Sequence, residues 1–230
     1  MFNATVNEIC ISGLRKVGAI GEDEQPTQFM MDNARLMLNS IIKEAQVDGM
    51  PLWAMQDVTI PCSAFSNGRY QFPSELASPL KVVQGIIRDA KGQYDIPMIM
   101  LTHYDYNRIP NKQSQGMPIQ YFHNIELRGG SLSIWPIPDT YSQQHRSVVI
   151  TVQRPFSDVG SSAALVDFPS YWNRALIYQL AWSLAPEYGV PINDRQLLAK
   201  EADIMWTRAQ SFGTEEGSLF MTVDTQFSGR

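Results

Sequence analysis

The chain has 230 residues, of which 44% are hydrophobic, and its formal net charge is −5 at pH 7. A chain of this length can bury one large core or two small ones without covalent cross-links. Cys10 and Cys62 lie far apart in the sequence and far from any histidine. This spacing favours buried thiols in a reducing compartment over a disulfide framework or a zinc site. The acidic balance argues against a protein whose main task is to grip nucleic acid, and the sequence shows no export signal or membrane-spanning segment.

Two amphipathic helices are predicted at the start of the chain. Thr5 and Glu8 fit a capping box, and apolar residues then recur at helical spacing as far as Gly18, which can supply a left-handed stop. After the acidic loop GEDEQP, Thr27 can cap a second helix that closes at Gly49. The predicted inward stripe of this helix consists of Met30, Ala34, Met37, Leu38, Ile41, Ile42 and Ala45.

From about Asp57 the sequence changes to short β-branched or aromatic runs separated by proline, glycine and asparagine, which indicates strands. Asn67-Gly68 and Gly129-Gly130 each lie between two such runs and suit tight hairpins. The polar segment 102–116 is expected to form a brief helical turn and a surface loop. The predicted strands lie in VTIPC, RYQF, LKVVQGIIRD, MPIQYFHNIEL, SLSIWPIP and RSVVITVQRP.

Two further helices are predicted towards the end of the chain. The stretch WNRALIYQLAWSL, which begins at Trp172, is apolar on nearly all sides but too short to span a bilayer, so we expect the core or a neighbouring subunit to cover it. Asn193 can cap a last helix that ends at Gly213 and carries a one-sided seam. The seam residues are Leu198, Ala202, Met205, Ala209 and Phe212. We assign ring or core packing to Trp172, Leu176, Tyr178, Trp182, Met205 and Phe212.

The last segment, 214–230, carries apolar residues among small polar ones, without enough contiguous pattern to pack by itself. A frayed terminus is one interpretation. The other is a tail that docks on a host surface, since an extended segment of this length reaches about 55 Å. The residues expected to anchor such a tail are Leu219, Phe220, Met221 and Phe227.

No catalytic motif is found in the sequence. It contains no phosphate-binding loop, dinucleotide fingerprint, nucleophile elbow or His-Glu-x-x-His pair, and the three histidines match no ligand spacing. We therefore expect no catalytic residue, no metal and no cofactor. Two carboxylates brought within about 5–10 Å by the fold would still suffice for a cell-wall-degrading enzyme, which is the alternative function. A glycan-binding module that uses Trp135 or Tyr121 is a third hypothesis.

Several segments, taken in order, resemble the head-to-tail adaptor proteins of short-tailed bacteriophages, the tail accessory or head-completion factors that dock beneath the portal ring. The likeness spans about residues 6–212. It is carried by LRKVGAIGEDEQPT, NARLMLNSIIKEAQVDGMPLW, IPNKQSQGMPIQYF, LSIWPIPD, VVITVQRPFSDV and DFPSYWNRALIYQLAWSLAPEYGVP.

This resemblance implies an α+β fold with a helical bundle formed by both ends of the chain and a β-rich inserted lobe, an order that the predicted elements also give. The expected domains are a helical bundle of residues 1–56 and 165–213, a β-rich insertion of residues 57–164 and an extended C-terminal tail of residues 214–230.

The resemblance also implies a virion protein at the head-tail junction, made in the host cytoplasm. Its expected partners are the portal protein, a tail nozzle or knob protein, and further copies of itself in a ring, commonly of twelve. Genomic DNA would pass through the ring without tight binding. In such a ring, the apolar surface that the helix beginning at Trp172 cannot hide within its own chain would be covered by neighbouring copies, and the tail would anchor on the portal or on the next copy.

Overall fold

The computed structural model describes residues 4–21, 23–47, 52–73, 79–89, 94–126, 129–160 and 164–213, and shows a mixed α+β fold. The α+β class predicted from the sequence is confirmed. The helices are α1 (Val6–Val17), α2 (Gln28–Val47), α3 (His103–Arg108), α4 (Thr140–His145), α5 (Asn173–Leu184) and α6 (Ile192–Phe212). The strands are β1 (Met55–Pro61), β2 (Arg69–Gln71), β3 (Lys81–Asp89), β4 (Asp95–Pro97), β5 (Ile99–Met100), β6 (Gln115–Gly116), β7 (Gln120–Ile125), β8 (Gly130–Trp135), β9 (Ile137–Pro138) and β10 (Arg146–Gln153).

The predicted boundaries of the first two helices are confirmed where the structure describes them. The Thr5 hydroxyl accepts a hydrogen bond from the Glu8 N–H at 3.3 Å, and the Thr5 N–H donates to the Glu8 carboxylate at 2.7 Å, which completes the capping box. Gly18 ends α1 in the left-handed conformation, with φ of 76°. The Thr27 hydroxyl caps α2 by accepting from the Met30 N–H at 3.3 Å. The predicted stop at Gly49 lies outside the described residues.

Two details of the predicted helices are wrong. Asn193 lies inside the first turn of α6 and does not cap it, because the helix already begins at Ile192 and the carbonyl of Pro191 accepts its first backbone bond, from the Arg195 N–H at 3.0 Å. In the stripe of α2, Met31 is buried whereas Met30 and Met37 are half-buried at its margin. The stripe is otherwise confirmed by the burial of Ala34, Leu38, Ile41, Ile42 and Ala45.

Helices α1, α2, α5 and α6 pack around a common hydrophobic core. Helix α5 is central, because α1, α2 and α6 all lie against it. Gly13 allows α1 to approach α5 closely, since a Cβ at this position would lie 2.9 Å from Leu180 Cδ2. Residues from both ends of the chain meet in this core, where the Trp53 ring stacks on Phe156 with a centroid distance of 4.8 Å. Fully buried members include Val6, Ile9, Leu14, Ala34, Leu38, Ile42, Leu176, Leu180 and Leu184.

The described strands form two four-stranded sheets and one two-stranded sheet. The first sheet has the order β1-β10-β3-β4 and is antiparallel throughout. The second has the order β2-β8-β7-β5, with β5 parallel to β7, and the small sheet pairs β6 with β9. A second hydrophobic core joins the two large sheets. It consists of Ile60, Cys62, Phe65, Phe72, Val82, Ile87, Met98, Tyr121, Leu132, Ile134, Val148, Ile150 and Val152.

Both predicted turns form, although one of them does not join a hairpin of neighbouring strands. Asn67 and Gly68 adopt φ of 49° and 74°, as the sequence indicates, but β1 and β2 lie in different sheets because a 3₁₀ turn at Cys62–Ala64 redirects the chain between them. The β7–β8 hairpin has the predicted position, with Ile125 opposite Gly130. The helical turn predicted within 102–116 is α3, whereas α4 was not predicted.

Candidate interaction surface

Helix α5 is covered mainly by its own chain. Trp172 and Leu176 are buried, with Leu180 and Leu184, because α1, α2 and α6 pack around the helix. Trp182 is 43% exposed and is the large apolar side chain that α5 presents to solvent. The surplus of apolar surface predicted for this helix is therefore limited to one position, and core packing accounts for Trp172 and Leu176.

The other residues assigned to ring or core packing lie at the margins of the helical core. Tyr178 is half-buried on the outer side of α5. Its pKa is lowered mainly by hydrogen bonding of the hydroxyl with Lys16 and, to a smaller extent, with Arg174. Met205 is half-buried and packs against the core. A core position for Phe212 is wrong, since this residue is 76% exposed in the last turn of α6.

The side of α2 that faces away from the core carries an exposed apolar stripe, which we call the α2 stripe. Phe29, Leu36 and Val47 are 81%, 68% and 85% exposed. Their separations of seven and eleven residues are close to two and three helical turns, so the three side chains share one face. Three large apolar side chains on one solvent-facing side of a helix suit a contact with another chain.

A groove between α2 and α6, with α5 at its floor, holds two partly exposed tryptophans. We call it the tryptophan groove, and its volume is about 330 Å³. Two carboxylates, Glu44 on α2 and Asp203 on α6, stand at its sides and are exposed. The groove is lined by Glu44, Gln179, Trp182, Ala199, Asp203 and Trp206.

A second groove lies between the start of α5 and the end of α6, and we call it the arginine groove. Its volume is about 290 Å³, and its charged residues are Arg174 and Arg208, both exposed. The Phe212 ring stands at its end in edge-on contact with Tyr171, at a centroid distance of 4.9 Å. The groove is lined by Tyr171, Arg174, Ala175, Met205, Arg208, Ala209 and Phe212.

The wall between the two grooves is held by the packing of aromatic rings. The Trp206 ring meets the Trp172 ring edge-on, with a centroid distance of 5.0 Å and an interplanar angle of 87°. Trp172 also contacts Phe168 at 5.4 Å. Because Trp172 is buried and Trp206 borders the tryptophan groove, this pair fixes the position of α6 against α5 and thereby the shape of both grooves.

The predicted tail anchors Leu219, Phe220, Met221 and Phe227 lie outside the described residues, so their role stays a prediction. The last described residue, Gly213, is buried beside Tyr171, and a Cβ there would lie 3.3 Å from the Tyr171 hydroxyl oxygen. The chain therefore enters the segment 214–230 next to the arginine groove.

Within the described ranges no three residues among His, Cys, Asp and Glu are placed to share a metal ion. Burial lowers the pKa of His123 and raises the pKa values of Cys10 and Cys62 to about 11. A glycan-binding role for Tyr121 is wrong because its side chain is buried, and the Trp135 indole donates a hydrogen bond to the Asn111 carbonyl at 3.0 Å.

No described helix combines the length and the apolar character that a bilayer crossing requires. In comparisons with known proteins, the chain matches no protein-family model and no curated protein sequence.

Proposed function

We propose that this protein is a structural virion component that forms an adaptor ring between the portal and the tail of a short-tailed bacteriophage. The ring closes the DNA-filled head and leaves a channel for DNA ejection. One observation carries the proposal: the helical part of the chain has a complete core of its own and still exposes aligned apolar residues, which are Phe29, Leu36 and Val47 on α2. The collinear sequence resemblance to head-to-tail adaptors supports the same function.

Ring formation is a favourable use for such a surface. Burial of apolar area contributes about 25 cal/mol per Å², and an interface of ordinary size, about 800 Å² on each partner, offsets the entropy that association costs. Each subunit in a ring makes this contact twice, and closure leaves no unpaired end. Apolar residues on several sides of the helical part therefore fit a protein with neighbours on both flanks.

The proposed domain organisation is a helical bundle with a β-rich inserted lobe and a C-terminal tail. Its support is the division of buried residues between two cores. The helical core takes residues from 4–54 and again from 156–209, whereas the core between the sheets takes residues from 60–152. In this proposal the helical bundle carries the ring contacts, and the tail of residues 214–230 reaches the portal.

The proposed partners are the portal protein above the ring, a nozzle or knob protein below it, and genomic DNA in the channel. The net charge of −5 supports the last assignment, since an acidic wall repels the phosphate backbone and lets DNA slide. The protein would have no enzymatic role in this position.

The direct test is to measure the mass of the protein alone and of its mixture with the portal protein of the same phage. We expect each portal ring in the mixture to carry one complete ring of this chain, with about twelve copies by analogy with the family. The protein alone should have a far smaller mass. Electron micrographs of the mixture should show a second ring stacked on the portal. A mixture in which the two proteins migrate separately at micromolar concentration would contradict the proposal.

Removal of residues 214–230 is expected to abolish attachment to the portal and to leave the fold intact. The deleted segment carries all four predicted anchors, and the members of both hydrophobic cores that the structure describes lie outside it. Circular dichroism and thermal unfolding would test the fold, and co-sedimentation with portal rings would test attachment. A control variant in which Thr222, Thr225 and Gln226 are replaced by alanine should attach normally, and undiminished attachment of the truncated chain would contradict the anchor role.

A further inference from the structure

We propose that neighbouring copies meet across α6, with the arginine groove of one copy seated against the tryptophan groove of the next. The occupant of each groove is therefore a second copy of this chain. The inference rests on the proposed ring and specifies which two surfaces form its subunit contact.

The first argument is the position of the grooves on α6. Asp203 and Arg208 are five residues apart, so they point about 140° apart around the helix axis at 100° per residue. The buried seam, represented by Ala202 and Ala209, separates the two directions. The grooves therefore flank α6 on different sides. A contact between two different surfaces of identical chains is heterologous, and this is the kind of contact that generates rings.

The second argument is charge. Glu44 and Asp203 stand at the tryptophan groove, and Arg174 and Arg208 stand at the arginine groove. Within the described part of the chain none of the four belongs to a salt bridge, in contrast to the nearby pair Lys43 and Asp158. Arg174 lies over the Tyr178 ring with its Cζ 5.5 Å from the centroid. Each groove thus presents charge of one sign, and only contact between unlike grooves brings opposite charges together.

The third argument is shape and residue type. Phe212 projects from the arginine groove and is 76% exposed, and the tryptophan groove, at about 330 Å³, has room for a phenyl ring. Inserted there, the ring would lie between Trp182 and Trp206, where aromatic side chains pack favourably edge-to-face or offset. Tryptophan, tyrosine and arginine are also the residues that dominate binding energy in protein interfaces. The exposure of Phe212 therefore has a specific use in this contact.

The test is a cross-linking experiment on the full-length chain. One variant carries both Asp203→Cys and Arg208→Cys, and two control variants carry only one of these changes. Each is treated with a short bifunctional maleimide, alone and after mixing with portal rings. The native thiols of Cys10 and Cys62 are buried and serve as an internal background, measured on the unmodified chain.

We expect a ladder of covalent multimers from the double-cysteine variant and monomers from each single-cysteine variant. A dimer from Asp203→Cys alone or from Arg208→Cys alone would overturn the inference, because it would place like grooves together. Absence of a ladder both with and without portal would overturn it as well. Portal binding without a ladder leaves the adaptor function intact and rejects only this contact, whereas a ladder without portal binding rejects the function and supports the contact.

Charge reversal provides a second readout. Asp203→Arg alone and Arg208→Asp alone should each weaken self-association by about tenfold or more, since each puts like charges in contact. The chain that carries both reversals restores opposite charges at every subunit contact and should associate within about threefold of the original chain. Sedimentation of portal-bound and free material measures both effects. Failure of the double variant to recover, with unchanged circular dichroism, would contradict the pairing.

Discussion

Replacement of Trp172 by alanine is expected to lower the free energy of unfolding by about 3–5 kcal/mol. Trp172 is 3% exposed, and its ring contacts Phe168 and Trp206. Its indole N–H has no hydrogen-bond partner among the described residues, so the loss is one of packing and apolar burial. The cavity would lie between the start of α5 and the second half of α6, which cannot close without moving α6.

Trp182→Ala is the matched control, since it removes the same side chain from the same region of the fold. Trp182 is 43% exposed, so we expect its replacement to cost less than about half as much. Urea unfolding followed by far-ultraviolet circular dichroism would compare the two variants with the original chain. Equal losses of unfolding free energy would contradict the assignment of Trp172 to the core and of Trp182 to the surface.

The same pair separates stability from assembly. Trp182 lines the tryptophan groove, so Trp182→Ala should impair ring formation more than its small effect on folding suggests. Trp172→Ala should impair both, because Trp206 loses the ring that holds it in place. The two tryptophans are ten residues apart in a stretch that is apolar on nearly all sides, and only the packed fold assigns one to the core and the other to a surface.

Local signals in the sequence account for most of the elements. The capping box at Thr5 and Glu8, the cap at Thr27 and the left-handed Gly18 each depend on contacts within a few residues, and all three are present. Alternation and turn residues likewise located the main strands. These features were predictable because the forces that determine them act over one helical turn or one hairpin.

The features that local sequence does not predict depend on packing between distant segments. The Asn67-Gly68 turn is correct, yet β1 pairs with β10 and β2 pairs with β8, partners that lie far away along the chain. Phe212 continues the apolar spacing of α6, but it lies in the last turn of the helix, where its side chain is largely exposed. The α2 stripe is visible in the sequence as apolar residues at whole-turn spacing opposite the core, but the inward stripe gives the stronger signal.

Gly85→Val is expected to lower the free energy of unfolding by about 2–3 kcal/mol, because Gly85 on β3 packs directly against Tyr121 of the other large sheet. A Cβ at this position would lie 3.0 Å from Cε1 and 3.1 Å from Cδ1 of Tyr121, a buried residue of β7 in the other sheet. The Tyr121 ring cannot withdraw, since it is enclosed by the core that joins the sheets. The β-branched residue would otherwise suit a strand, so steric overlap is the only reason for the loss.

Gly160→Ala is the control for this substitution, because a Cβ at Gly160 would meet no atom within 4 Å among the described residues other than its chain neighbours. Its effect on the free energy of unfolding should stay within about 0.5 kcal/mol. The double variant Gly85→Val with Tyr121→Leu should lose less stability than the sum of the two single variants, since the smaller side chain removes the overlap that the valine creates. If the losses of unfolding free energy measured in urea were strictly additive, Gly85 and Tyr121 would not be in contact. That result would contradict the close packing of the two sheets at this point.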